Sequence, residues 1–159
     1  MARSHYFDAS ALVKLFVPEQ GSEYLHAFMK VNTTFYSTSF CFAEALSVLK
    51  RKHLLTKDHD CIDRETYLKA LKDISIWIGT IIRIDDVPFG KNPIGIFREA
   101  EGLINKYDID MIDALQIITI RKGIIALEGK LLITADKGLE KAAQGEGVTV
   151  WNCLHAYEG

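Results

Sequence analysis

Cysteine and proline are both scarce in this chain. The three cysteines (Cys41, Cys61 and Cys153) are odd in number and show no CxxC spacing, which excludes a disulfide framework and a zinc knuckle. They read as passive thiols in a reducing cytoplasm. The three prolines (Pro18, Pro88 and Pro93) each fall near an expected element boundary. An excess of one charge is also missing. Lys and Arg total 19 against 21 Asp and Glu, a formal net charge of −2. A polybasic tail is thereby excluded, and any nucleic acid must be handled by local patches. No long hydrophobic run occurs. The most apolar window, residues 74–84, is interrupted by Gly79 and Arg83 and is too short to span a bilayer. Asp8 and Lys14 stand where a signal peptide would be apolar. The expectation is a cytoplasmic protein without membrane attachment.

What is present is ordinary globular material. The chain has 159 residues, 48% apolar and 25% charged, which suits a single domain over residues 1–159. A chain of this length buries roughly 70% of the surface it exposes when unfolded, enough for one real core. Short β-favouring runs at residues 5–7, 34–36, 81–84, 131–134 and 148–151 alternate with helical patterns. The helices are expected at residues 10–16, 22–31, 39–52, 63–78, 93–106, 111–122 and 137–144, with Ser39 as the cap of the third. Strands alternating with helices predict an α/β fold, a parallel sheet covered on both faces.

Acidic residues fall at telling places along this pattern. Asp8 follows the first strand directly and Asp136 follows the fourth. Glu44 lies in the second turn of the helix after the second strand, and Asp113 lies near a helix start, three residues after Asp110. Ligands of open α/β sheets bind outside the carboxyl ends of the strands, so these side chains can share one crevice. Carboxylates gathered there raise one another's pKa until one is neutral or a cation intervenes. Hard oxygen donors suit Mg²⁺ or Mn²⁺, and such an ion lowers the pKa of water and offsets charge building on a phosphate.

Each acid also has a plainer reading. Asp8 and Asp136 precede helices, where Asp is a favoured N-cap. Asp110 with Asp113 has the spacing of a capping box, and Glu44 by default is a solvated helix residue. Asp85 and Asp86 also follow a strand, but one expected at a sheet edge. Independent caps, however, need not gather four acids on one rim.

Several segments resemble the PIN domain family. Residues 6–15 (YFDASALVKL) look like its opening strand and first acid; Glu44 in FAEAL matches its second acid. Asp113-Ala114 within DIDMIDALQ matches the third, and Asp136 within LITADKGL the fourth, while GVTVW looks like the closing strand. The resemblance covers nearly the whole chain and is nearest to the VapC toxins of prokaryotic toxin–antitoxin pairs. It implies a three-layer fold with a five-stranded parallel sheet in the order 3-2-1-4-5. It further implies a Mg²⁺- or Mn²⁺-dependent endoribonuclease acting on RNA, a homodimer, and silencing by a VapB-like antitoxin. The family's metal positions carry over to Asp8 and Asp113, with Glu44 and Asp136 completing the acidic site. Thr134 matches a small hydroxyl position beside the fourth acid, and Ser10 stands as a supporting hydroxyl. Asp110 replaces a frequent Ser, and either caps the helix or adds a carboxylate behind the ligands.

Other readings compete less well. A non-catalytic PIN-fold module that binds RNA or protein predicts missing acids, yet all four are present. A nucleotide-binding α/β protein would carry a GxGxxG or P-loop pattern, which is absent. An aspartyl nucleophile at Asp8-Ala9-Ser10 lacks its second acid. The five histidines (His5, His26, His53, His59 and His155) show no ligand or triad spacing. The run Lys50-Arg51-Lys52-His53, with Lys14, Lys137 and Lys141, is placed to hold RNA phosphates or simply to sit at helix ends. The apolar positions Leu54, Leu55, Tyr67, Leu71, Ile74, Trp77 and Ile78 exceed one helix face, so part of that surface is expected to meet another chain.

Overall fold

The computed structural model describes residues 4–55, 60–122 and 129–159. Five strands, β1 (Ser4–Phe7), β2 (Phe35–Ser37), β3 (Ile82–Ile84), β4 (Lys130–Thr134) and β5 (Thr149–Asn152), form one parallel sheet in the order β3-β2-β1-β4-β5. Helices α1 (Ala9–Phe16) and α2 (Ser22–Val31) connect β1 to β2, and α3 (Ser39–Leu54) and α4 (Arg64–Trp77) connect β2 to β3. Helices α5 (Pro93–Tyr107) and α6 (Met111–Lys122) lead to β4, and α7 (Lys137–Gly145) leads to β5.

The sheet is buried on both faces, and its side chains divide by strand alternation. Phe7, Phe35, Leu131, Ile133 and Trp151 pack with α1, α2, α3 and Ile74 of α4. Tyr6 and Leu132 point the other way, into the core built by Ile96, Leu103, Leu115, Ile118 and Leu139 of α5, α6 and α7. The in-register pairs Tyr6–Leu132 and Phe7–Ile133 bind the two central strands side by side. Their carboxyl ends therefore reach the same rim.

Local chemistry sets the helix starts. Asp8, Asp63, Asn92 and Asp136 all accept hydrogen bonds from backbone N–H groups of the first turn they cap. One expectation is corrected: Thr38, not Ser39, caps α3. Thr38 has extended backbone and its hydroxyl accepts from the Cys41 N–H at 3.1 Å. Ser39 is already helical and sends its hydroxyl to Asp86 at 2.7 Å. Among the described residues, no helix is long and apolar enough to cross a membrane.

Candidate active site

The turn from β1 into α1 presents Asp8, and the turn from β4 into α7 presents Asp136. Asp8 is 4% exposed. Its Oδ1 accepts from the Ala11 N–H at 2.8 Å, closing the first turn of α1. Its Oδ2 accepts from the Thr134 hydroxyl at 2.6 Å, across the strand pair. The Ser10 hydroxyl lies 2.9 Å from both carboxylate oxygens. Both hydroxyls are oriented from behind: Ser10 Oγ accepts from the Ala135 N–H and Thr134 Oγ1 accepts from the Asp136 N–H, each at 2.9 Å. With its acceptor role filled by an N–H, each hydroxyl is left to donate its proton to Asp8.

Asp136 caps α7 through Oδ1, which accepts from the Gly138 and Leu139 N–H groups at 2.6 and 3.0 Å. Asp110 Oδ1 accepts from the Asp113 N–H at 2.9 Å. That is the capping role, and it leaves the Asp113 carboxylate unused by the helix. Capping and cleft lining thus coexist in Asp8, Asp110 and Asp136, because a carboxylate oxygen has two lone pairs and the cap takes only part of the acceptor capacity.

One cleft of about 330 Å³ is lined by Asp8, Glu44, Asp110, Asp113 and Asp136, with Ser10 beside them. Lys14, Glu19 and Lys52 line it as well. Thr134 is fully buried beneath Asp8. Asp85 and Asp86 are used elsewhere: Asp85 accepts from the Tyr6 hydroxyl at 2.6 Å, and Asp86 accepts from the Ser39 N–H at 2.8 Å.

The crowding shows in the proton affinities. Burial pushes the Asp113 carboxyl up to about 8, helped by the charges of Asp110, Asp136, Asp8 and Glu44. Burial also raises Asp8, to about 6, against the opposing hydrogen bonds of Thr134, Ala11 and Ser10. Glu44 moves upward by burial and by Asp110 and Asp8, with Arg51 opposing. Among the described residues, none of the four sequence-selected acids enters an ion pair.

No described His or Cys lines the cleft, and His59 lies outside the described residues. Cys41 and Cys153 are free and buried. Burial raises both thiols, Cys153 to about 12, which keeps them inert at neutral pH. Among the described residues, no three Asp, Glu, His or Cys side chains are drawn together as a ready-made ligand group. Even so, the donor set fits a hard divalent ion. It is all oxygen, it is acidic, and carboxylates with raised pKa values repel one another until a cation draws them in. Mg²⁺ in particular takes few carboxylates directly and keeps waters.

Reading the sequence missed Glu19. It pairs with Lys14 at 3.0 Å and with Lys52 at 2.5 Å. The five-residue spacing to Lys14 is not a helical one, and Lys52 is distant in sequence, so no local pattern announces the bridge. It also missed Gln116, fully buried on α6, whose side-chain amide donates to the Phe7 carbonyl at 3.3 Å and whose Oε1 accepts from the Cys41 thiol. A polar residue within the apolar run of α6 was the available signal.

Comparison with known proteins bears on the fold and the family. A family model described as PIN domain matches residues 5–145. No curated protein matches the chain. Among solved structures, the crystal structure of PAE2754 from Pyrobaculum aerophilum aligns with a TM-score of 0.60. The identity is 18%, over 94% of this chain and 92% of that one, so the likeness speaks for the fold alone.

Proposed function

The chain belongs to the PIN domain family, and from that premise we propose that it is a Mg²⁺- or Mn²⁺-dependent endoribonuclease, the toxin of a VapBC-type pair. PIN domains are generally nucleases. The observation that supports the finer reading is the gathering of Asp8, Glu44, Asp113 and Asp136 on one cleft at the carboxyl ends of β1 and β4.

In this reading Asp8 and Asp113 would hold the divalent ion, and Glu44 and Asp136 would complete its seat. When bound, the ion supplies Lewis acidity toward the phosphate and lowers the pKa of water. The chain does the rest. Ser10 and Thr134 donate hydrogen bonds to Asp8, fixing the plane of its carboxylate and keeping it ionised against the cost of burial. Asp136 is anchored by its cap through one oxygen, so its orientation is set before any ligand arrives. Asp110 holds the first turn of α6 and stands behind Asp113 as a further negative charge. Asp113 would have to give up its proton to serve as a ligand, so uptake of an ion near neutral pH would be accompanied by proton release.

Partners belong to the same reading. The end of α3 and the outer face of α4 leave Leu54, Leu55, Leu68 and Ile76 exposed, a surface suited to a second copy of the chain or to a VapB-like antitoxin. Ile74 is instead buried, and Tyr67, Trp77 and Ile78 pack on the core, so the docking face is narrower than the sequence pattern suggests. An antitoxin would seat an Arg among the four acids in place of the metal. The chain would work in the cytoplasm as a single domain.

The decisive experiment incubates purified protein with single-stranded RNA and Mg²⁺ or Mn²⁺, with and without EDTA. Cleavage that EDTA abolishes is expected. Undiminished cleavage in EDTA overturns the metal-dependent mechanism.

A further inference from the structure

The same cleft that holds the acids is also lined by a bridge of three charges. The Glu19 carboxylate takes the Lys14 ammonium on Oε2 at 3.0 Å and the Lys52 ammonium on Oε1 at 2.5 Å. Both lysine side chains are only 14% exposed, and Glu19 is 22% exposed. Burial alone would raise the Glu19 carboxyl, but the two ammonium groups outweigh it and hold it below the ordinary range. The bridge keeps a net charge of +1 within a cleft whose other charged lining residues are all acids.

The same three residues line a second, more polar cleft of about 460 Å³, walled by residues 17–20 and 60–62. The bridge therefore borders both clefts, and Lys14 and Lys52 are placed to meet a chain molecule that extends from one toward the other. A carboxylate held by two ammonium groups through separate oxygens has the shape and charge of a bound phosphate monoanion. The Glu19 backbone does not depend on the bridge. Its N–H donates to Ser22 Oγ at 2.9 Å, and its carbonyl accepts from the Ser22 N–H at 3.1 Å. The side chain can leave while the turn stays.

We infer that Lys14 and Lys52 form a phosphate subsite for the RNA backbone next to the scissile bond, with the Glu19 carboxylate holding that seat until the strand arrives. This rests on the nuclease reading above. It assigns the acids to the phosphate being cut and the lysines to a flanking phosphate. It also explains how an anionic strand approaches a cleft rich in carboxylates, since the lysines offer positive charge once Glu19 swings away.

The test measures equilibrium binding of a short fluorescent single-stranded RNA by anisotropy in EDTA, across a series of salt concentrations. Wild type is compared with Glu19→Gln, Lys14→Gln and Lys52→Gln. Thermal melts establish that each variant is folded. Glu19→Gln should tighten binding by about two- to fivefold, the size of one competing ion pair removed. Each lysine variant should weaken binding by a similar factor. Each should also lower the slope of log K against log salt by about 0.7, the value for one lost contact to a single strand. If the bridge merely pins the turn, Glu19→Gln will weaken binding or leave it unchanged, and that result overturns the subsite. Lysine variants with wild-type affinity and slope also overturn it, while RNA cleavage by the same wild-type preparation keeps the nuclease reading intact. Binding with the predicted slopes but no cleavage in Mg²⁺ or Mn²⁺ does the reverse: the subsite stands and the catalytic reading falls. A wild-type chain that neither binds nor cuts RNA removes both.

Discussion

Two aspartates follow strands at the same rim of the sheet and have different fates. Asp8 ends the central strand β1, and Asp85 ends the edge strand β3. Asp85 is partly exposed and accepts from the Tyr6 hydroxyl; burial lowers the proton affinity of Lys130, and the Asp85 charge only partly opposes that. A carboxylate placed so is satisfied by its neighbours. Asp8 is buried, and the charged groups that reach it from β4, α3 and α6 are acids. Hydrogen bonding from Thr134, Ala11 and Ser10 opposes the cost of its burial. The difference comes from the position of each strand in the sheet. At the centre, the ends of two strands and the starts of several helices converge, and their acids add up. At the edge there is room for a structural bond and for solvent.

Experiments that sharpen this comparison are best taken from the largest effect downward. Asp113→Asn and Asp8→Asn should each cut RNA cleavage by at least ~10²-fold, because in the proposed site each would remove a ligand charge, while Asp85→Asn should keep cleavage within about twofold. Equal losses at the centre and at the edge of the sheet would mean that the rim assignment is wrong. Thr134→Val should cost about 10- to 100-fold, the usual loss when a partner orienting a metal ligand is removed. Metal titrations should show the same variant binding Mn²⁺ more weakly, whereas a purely structural role would lower the melting temperature and leave Mn²⁺ affinity alone.

A smaller effect concerns pH. In the metal-free chain, Asp113 stays protonated up to about 8 and Asp8 up to about 6, while the unfolded chain has released both protons by the ordinary carboxylate range. The folded state binds more protons across that window, so stability falls as pH rises from about 4 toward 8. Asp113→Asn should flatten this decline and raise Tm near pH 8 by about 2–4 °C, the equivalent of roughly 1 kcal/mol of relieved repulsion in a chain of this size. A decline of the same steepness in the variant would remove Asp113 as its source. Least affected is the edge: Asp85→Asn should lose about 0.5–1.5 kcal/mol through the weakened Tyr6 bond. Denaturant melts would read that loss, with no dependence on added metal.

Much of this was legible before any coordinates. The strand and helix sequence follows from short apolar runs and caps, because these are local signals, whereas the strand order β3-β2-β1-β4-β5 was implied by the family resemblance. Asp63 and Asn92 cap helices for the reason any Asp or Asn does. The competition between Thr38 and Ser39 for the cap of α3 was not legible. Both are hydroxyl residues, and only the backbone angles at Thr38 and the presence of Asp86 beside Ser39 divide their roles. Nor was it legible that Asp8 caps α1 and lines the cleft at once: its Oδ1 accepts from the Ala11 N–H, its Oδ2 from the Thr134 hydroxyl, and the side chain borders the cleft.

The sequence by itself determined which segments become strands and helices, and that acids would follow β1 and β4, since those depend on residues within a turn or two of one another. Tertiary structure alone decided which charges share a cleft. Glu19 reaches Lys52 across more than thirty positions of chain, and Gln116 ties α6 to α3 and to the end of β1. The Asp113 carboxyl is raised first by burial and then by the charges of Asp110, Asp136, Asp8 and Glu44, most of them remote in sequence. Coulomb interactions and burial depend on distance through space, and distance through space is fixed only when the sheet has brought its strand ends together.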